Sequence, residues 1–260
     1  MKILGFATLL SLTFVVLGAL TFRLGLLPFT VSFYAYGLGL VVCLLLVFIG
    51  GALFFRRLAR KQAVGKIPLW LLLNASPVVL VIYCVGWSGF QAPPIHDITT
   101  DLLDPPAFVF APLERISGEN SLVHAGASLV ALQCASYPHL RPLTVRAEKA
   151  VVWAAVKSVI ATKGWRILGE NISQGYIEVA DVTPLMGFTD DMVIRIRPVN
   201  DRQADSGQTD KSRVDKNTVN QHKIRIDVRS ASRVGMGDFG VNAARIGDFL
   251  QGLKETLNKK

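Results

Sequence analysis

The sequence predicts an N-terminal region of three transmembrane helices followed by an α+β domain, in which a four-stranded antiparallel sheet carries two helices on one face and a proline-rich arm. Hydrophobic residues make up 51% of the 260 residues and charged residues only 18%, against about 25% charged in a typical soluble domain. Long uncharged runs fill the first 90 residues, and short alternating or helical hydrophobic patterns follow after residue 145.

The three apolar runs predict membrane-spanning helices at about residues 3–22, 31–55 and 67–90. Each is long enough to cross a bilayer, whose hydrocarbon core of about 30 Å takes roughly 20 helical residues. None shows the polar stripe of a helix on the surface of a soluble protein. Lys2 and the first run also fit a signal peptide, although no small-x-small cleavage site precedes Arg23. We expect a multi-pass protein of the cell membrane.

Basic residues between the runs predict the orientation. The loop between the first two runs carries only Arg23, whereas the loop between the second and third carries Arg56, Arg57, Arg60, Lys61 and Lys66. Because basic loops stay in the cytoplasm, we expect a cytoplasmic N-terminus and, after three crossings, an extracytoplasmic C-terminal domain.

The distribution of charge excludes a nucleic-acid-binding domain. The formal net charge is +9, but the first 90 residues hold seven basic residues and no acidic one. The remaining 21 basic residues are balanced against all 19 acidic residues. The excess positive charge therefore belongs to the membrane region, and no nucleic acid partner is predicted.

The remainder of the chain is predicted to contain a proline-rich arm at 91–145 and an α+β core at 146–260. The core is expected to contain helices at 146–163 and 241–257 and strands at 165–170, 176–182, 190–197 and 223–229. Residues 199–222 contain no aromatic residue and few aliphatic ones, which predicts a solvated, mobile loop. Alternation places the charged residues of the last two strands, including Arg195 and Arg229, on the outward face.

A polar cluster runs from the last strand into the last helix and is the candidate ligand site. Its predicted members are Arg229, Ser230, Ser232, Arg233, Asp238, Asn242 and Arg245. Residues 235–240 satisfy the G-x-G-x-x-G pattern, but the chain ends one helix later, which excludes a dinucleotide fold. The helix start favours an anion, on which the three arginines would converge. The alternative is that these charges form structural ion pairs.

Two further groups of side chains could serve catalysis or metal binding. Asp190 and Asp191, which form a charged cluster with Arg195 and Arg197, fit acid–base chemistry or a metal site, but neighbouring residues in a strand face opposite sides. Cross-strand ion pairs between this cluster and the last strand are therefore favoured. His96, Asp97 and Asp101 suggest a metal site only weakly, since the four histidines of the chain lack metal-ligand spacing. No catalytic residue, metal or cofactor is therefore assigned.

Several segments resemble the domain-of-unknown-function family numbered 1499, in its membrane-anchored bacterial form. These segments are 95–101, 105–108, 137–138, 188–198 and, above all, 226–245, which reads Ile-Asp-Val-Arg-Ser-Ala-Ser-Arg-Val-Gly-Met-Gly-Asp-Phe-Gly-Val-Asn-Ala-Ala-Arg. The resemblance spans about residues 91–257. It implies a bacterial envelope protein held in the inner membrane, and it supplies no activity or catalytic residue.

The leading hypothesis is a non-enzymatic envelope module that recognises an anionic lipid or glycan headgroup, or an envelope protein. One alternative is an envelope hydrolase that uses Asp190, Asp191 or Asp238 in a deep pocket. A second alternative is a structural subunit of a membrane complex.

Overall fold

The computed structural model describes residues 2–124, 126–199 and 223–259. The loop predicted at 199–222 therefore lies outside the described residues, apart from Val199. The chain forms two compact units. Met1–Gln91 with Thr183–Phe188 form the helical unit, and Ala92–Val182 with Thr189–Lys260 form the sheet unit.

The helical unit contains the three predicted apolar helices. They are α1 (Lys2–Arg23), α2 (Phe29–Ala59) and α3 (Ile67–Phe90), and each is long and apolar enough to cross a membrane. Helix α2 continues one turn further than predicted and includes Arg56 and Arg57, cations that interact favourably with the C-terminal end of a helix dipole.

Small residues allow the backbones of α1 and α2 to approach closely. A Cβ atom on Gly18 would lie 2.5 Å from the backbone nitrogen of Tyr36, and one on Gly39 would lie 2.7 Å from Cγ2 of Val15. Such contacts are how membrane helices associate, because lipid supplies no hydrophobic force between them.

The segment Thr183–Phe188 belongs to the helical unit. Met186 is buried in a cluster with Val15 and Tyr36, and the Phe188 ring lies 5.4 Å from that of Phe22. Arg23 donates a hydrogen bond of 2.7 Å to the carbonyl of Pro184. This apolar segment is therefore packed by side chains of the first two helices.

The sheet unit contains an antiparallel sheet of six strands among the described residues, so the predicted count of four is wrong. The strands are β1 (Asp97–Thr99), β2 (Leu143–Arg146), β3 (Arg166–Asn171), β4 (Tyr176–Val182), β5 (Thr189–Pro198) and β6 (Lys223–Ser232). Their order is β1-β6-β5-β4-β3, and β2 also pairs with β6. The ten residues of β6 are long enough to pair with both β1 and β2 along one edge.

The prediction of a proline-rich arm at 91–145 is not confirmed as such. This stretch supplies β1 and β2 together with the helices α4 (Ala111–Glu114) and α5 (Ala127–Ser136). Strands of three and four residues are too short to produce a recognisable alternation, and that is why proline spacing dominates the sequence signal.

The remaining helices, α6 (Lys149–Lys163) and α7 (Val241–Asn258), match the predicted pair. Their buried side chains, including Trp153 and Phe249, share one hydrophobic core with Ile177, Ile194 and Ile226 of the sheet. Helix α6 ends at Gly164, whose φ of 70° is the left-handed conformation that glycine adopts readily.

Candidate functional site: the charged face of the sheet

The second face of the sheet is buried and charged, although the sequence predicted it to be solvated. Glu178, Asp191 and Asp227 have no exposed surface, and Arg195 and Arg229 are also buried. Backbone and side chains of residues 97–122 cover these groups through the hydrogen bonds described below. We call these side chains, the arginines that bind to their carboxylates, and the segment 97–122 the charged face.

Arg229 of β6 is bound by Asp97 of β1. Its Nε and Nη2 atoms donate to the two carboxylate oxygens of Asp97 at 2.9 and 2.7 Å. It also donates to the carbonyls of Pro106 and Leu122, and its guanidinium lies 5.1 Å from the centroid of the Phe108 ring. Arg229 thus ties the covering segment to the sheet.

Arg233 shares the carboxylate of Asp191 with Arg115. Arg233 donates to Asp191 at 2.7 Å, and Arg115 donates at 2.8 Å from the covering segment. Arg115 also donates to the carbonyls of Asn120 and Ala231. A fully buried carboxylate is stabilised only when it is paired and hydrogen-bonded in this way.

Arg245 belongs to a separate network on the opposite face of the sheet. It donates to Asp190 at 2.6 Å and to Asp181 at 3.0 Å, and it donates to the Asn242 side-chain oxygen at 2.6 Å. Ser230 donates to the same oxygen, and the Asn242 amide donates to the hydroxyl of Ser232. This network joins α7 to the sheet.

Asp238 occupies the N-terminal end of α7. Its carboxylate accepts hydrogen bonds from the backbone N–H groups of Gly240 and Asn242 at 2.8 and 2.6 Å. Burial raises the pKa of this carboxyl, and the two backbone bonds oppose that shift. The position where an anion was predicted to bind the helix start therefore holds a carboxylate of the protein itself.

The seven predicted site residues are thus divided among three places. Arg229 and Arg233 belong to the charged face, and Asp238 caps α7. The other four, Ser230, Ser232, Asn242 and Arg245, lie between α7 and the opposite face. Arg229 points to the charged face, whereas Ser230, the next residue of the strand, points to the opposite face, where Arg245 lies. Arg229 and Arg245 therefore do not meet.

The far end of the charged face contains a second ionic cluster. Asp101 accepts hydrogen bonds from Arg195, Arg197 and Arg225 at 3.3, 2.8 and 2.7 Å. Arg195 also pairs across the strands with Asp227, as predicted for cross-strand pairs with the last strand. Asp190 and Asp191, by contrast, bind arginines that lie outside the last strand.

Sequence patterns did not identify several residues that hold the charged face together. Asp97 and Asp101 fitted only the weak metal pattern, whereas both bind arginines. Arg115 and Glu178 belong to no recognisable motif. Glu178 accepts backbone hydrogen bonds from Phe110 and Ala111 at 3.0 and 2.8 Å, and burial raises the pKa of its carboxyl.

Metal and cavity geometry add no further candidate. Within residues 2–124, 126–199 and 223–259, no group of three or more His, Cys, Asp or Glu side chains is placed to hold a metal ion. An open groove of about 720 Å³ lies between α6 and α7 and is lined by Ser158, Asp248 and Glu255 among others. None of the seven predicted site residues lines it.

Comparison with known proteins identifies the family but no activity. No curated protein matches the chain. The family model described as "Protein of unknown function (DUF1499)" matches residues 97–253, which begins at the first strand and ends in the last helix. The match covers more than half of the chain and includes the charged face and the network of Arg245, so this protein belongs to the DUF1499 family.

Proposed function

We propose that the protein is a non-enzymatic, membrane-anchored module of the bacterial cell envelope. In this proposal the three helices hold the sheet unit outside the cytoplasm, where its surface contacts another envelope component. The observation that carries the proposal is that each charged side chain of the predicted site is already bound by the protein itself.

The geometry gives the hydrolase hypothesis little support. Asp190 and Asp191 are each held by a guanidinium group, and Asp238 accepts two backbone N–H groups. A general acid or base must reach the proton that it transfers. For these three carboxylates that would require an ion pair or a helix cap to open first.

An anionic lipid or glycan headgroup is supported less well than a partner protein. To bind Arg229, Arg233 or Arg245, an anion would have to compete with Asp97, Asp191 or Asp190. Those carboxylates are covalently tethered and buried, so a headgroup in free solution is at a disadvantage in effective concentration.

The competing anion hypothesis is tested by ligand-dependent stability of the full chain in detergent. The probes are inorganic phosphate and glycerol phosphate, and the readout is the thermal unfolding midpoint. A ligand that binds only the folded state raises that midpoint. We expect neither probe to raise it, and we expect Arg233→Ala to lower it equally with and without probe.

The matched control is Arg146→Ala, because Arg146 is exposed on β2 and should change the midpoint little. A saturable rise for the native chain that Arg233→Ala abolishes would make the cluster an anion site and would overturn the proposal.

The orientation rests on the basic residues in the last turn of α2 and in the loop that leads to α3. Five of them lie in 56–66, which the positive-inside rule assigns to the cytoplasm. We expect a phosphatase fused after Lys260 to be active and a cytosolic fluorescent protein at the same position to be dark. The reverse result would place the sheet unit in the cytoplasm.

A further inference from the structure

One end of the sheet unit exposes a set of large apolar side chains. It is the end where β4 finishes, β5 begins and β6 finishes. Met236 is 84% exposed, and the set, which we call the apolar rim, consists of Leu113, Ile116, Val182, Met236, Phe239 and Val241. Single exposed apolar residues are ordinary, whereas a group of them at one place marks an interaction surface.

Hydrogen bonds join the chain segments that carry the apolar rim. Asn120, which follows Ile116, donates to the carbonyl of Gly235 at 2.7 Å. The backbone N–H of Arg233 donates to the carbonyl of Thr189, and Thr189 is the partner of Val182 across the strands. The rim is therefore one region of the surface and not a scatter of separate side chains.

The apolar rim lies against the first residues that follow the third apolar helix. The Cβ position of Gly237 is 2.9 Å from Cα of Pro94, and that of Gly240 is 3.6 Å from Cβ of Ala92. Ala92 comes two residues after Phe90, where α3 ends. Two residues of chain reach roughly 7 Å at most, so Ala92 follows the last residue of α3 within that distance along the chain.

The chain also leaves the sheet unit for the helical unit at this end of the sheet. Val182 and Thr189 flank Thr183–Phe188, the segment whose Met186 is buried with residues of α1 and α2. Residues of the rim therefore lie beside the points at which the chain enters and leaves the sheet unit.

The chemistry of the apolar rim suits a lipid surface. Its six side chains carry no charge, and three ionic groups beside it are bound within the protein: Arg233 by Asp191, and Asp238 and Glu119 by backbone N–H groups. Placing the rim among lipid headgroups and upper acyl chains would bury apolar surface without dehydrating an unpaired charge. We propose that the apolar rim inserts into the interfacial zone of the lipid leaflet in which α3 ends.

The test uses the full chain in liposomes, with Cys43, Cys84 and Cys134 replaced and a fluorescent label attached to a single introduced cysteine. The rim positions are Met236→Cys and Ile116→Cys. The matched control is Leu103→Cys, because Leu103 is aliphatic and 98% exposed. It lies beside Asp101, which binds Arg197 near the far end of β5. Arg197 is seven positions beyond Asp190, which is roughly 23 Å along the strand.

Two quenchers distinguish lipid from water. Labels on the rim should be quenched by nitroxide-bearing phospholipid several-fold more than the label at residue 103, and they should be protected from aqueous iodide. Equal iodide quenching at residues 236, 116 and 103 would overturn the proposal. Protection at the rim from both quenchers would also overturn it, because that pattern indicates a protein surface, such as a second copy of the chain, and not lipid.

Discussion

Arg229 and Asp97 form a bidentate ion pair that joins the sixth strand to the first. The two hydrogen bonds measure 2.9 and 2.7 Å, and each side chain is only 4% exposed. Breaking such a pair on one side leaves an uncompensated buried charge. The pair therefore fixes the covering segment 97–122 on the sheet. The other buried carboxylates of the charged face likewise depend on their hydrogen-bond partners.

The carboxylate of Asp238 should act as a helix cap and not as a catalytic group. Asp238→Ala removes the acceptor for the N–H groups of Gly240 and Asn242 and should lower the free energy of unfolding by about 0.5–2 kcal/mol. Asp238→Asn keeps an acceptor oxygen and should cost less. Urea unfolding of the full chain in detergent measures both. Equal losses for the two variants would argue against capping.

Gly169 should be required because the Phe110 ring lies directly over it. A Cβ atom at this position would overlap the ring, and inserting a methyl group where there is no room costs about 1–3 kcal/mol. We expect Gly169→Ala to lower the free energy of unfolding by that amount. Gly247→Ala is the control, because nothing lies within 4 Å of its Cβ position and alanine favours the helix by about 0.5–1 kcal/mol. The prediction is wrong if the two variants are equally stable.

Acid should weaken the attachment of α4 to the sheet unit. The hydrogen bond and charge of Arg166, with Arg233, lower the pKa of Glu114 to about 2 from an ordinary 4.5. A carboxyl whose pKa is depressed by folding stabilises the folded state above its unfolded pKa, and it loses this contribution as the pH falls through the folded value. The window is thus from about pH 4.5 down to about 2.

Glu114→Gln isolates this contribution from that of the other carboxyls. The native chain should be more stable than the variant at neutral pH, and the difference should shrink as the pH falls through that window. Unfolding midpoints of the two proteins across the acid range measure it. A difference that stays constant with pH would show that the charge of Glu114 contributes nothing.

Elements with a regular period were predictable from the sequence, and the contacts of the charged face were not. Strand β4 has the predicted bounds Tyr176–Val182, and α3 has the predicted bounds Ile67–Phe90. Strand β1 has three residues, and its pairing with β6 depends on the whole fold. Arg229 was expected in water because alternation assigns a face to a side chain without showing what covers that face.

The predicted convergence of arginines failed for a reason that the sequence does contain. Strand alternation alone separates Arg229 from Ser230, and Ser230 faces Asn242 and Arg245 on α7. The same alternation, extended through the end of β6, is enough to divide the candidate residues between two faces of the sheet. The identity of the partner carboxylates, Asp97 and Asp191, depends on the three-dimensional arrangement.

The most direct test of the internal pairing of the charged face is a double-mutant cycle on Arg229 and Asp97. Free energies of unfolding would be measured for Arg229→Met, Asp97→Leu and the double variant, in the full chain and without added ligand. Each single change should cost about 3–5 kcal/mol because it strands a buried charge, and the double variant should cost far less than their sum. The account is contradicted if the losses of unfolding free energy in the two single variants add up to the loss in the double variant to within about 0.5 kcal/mol.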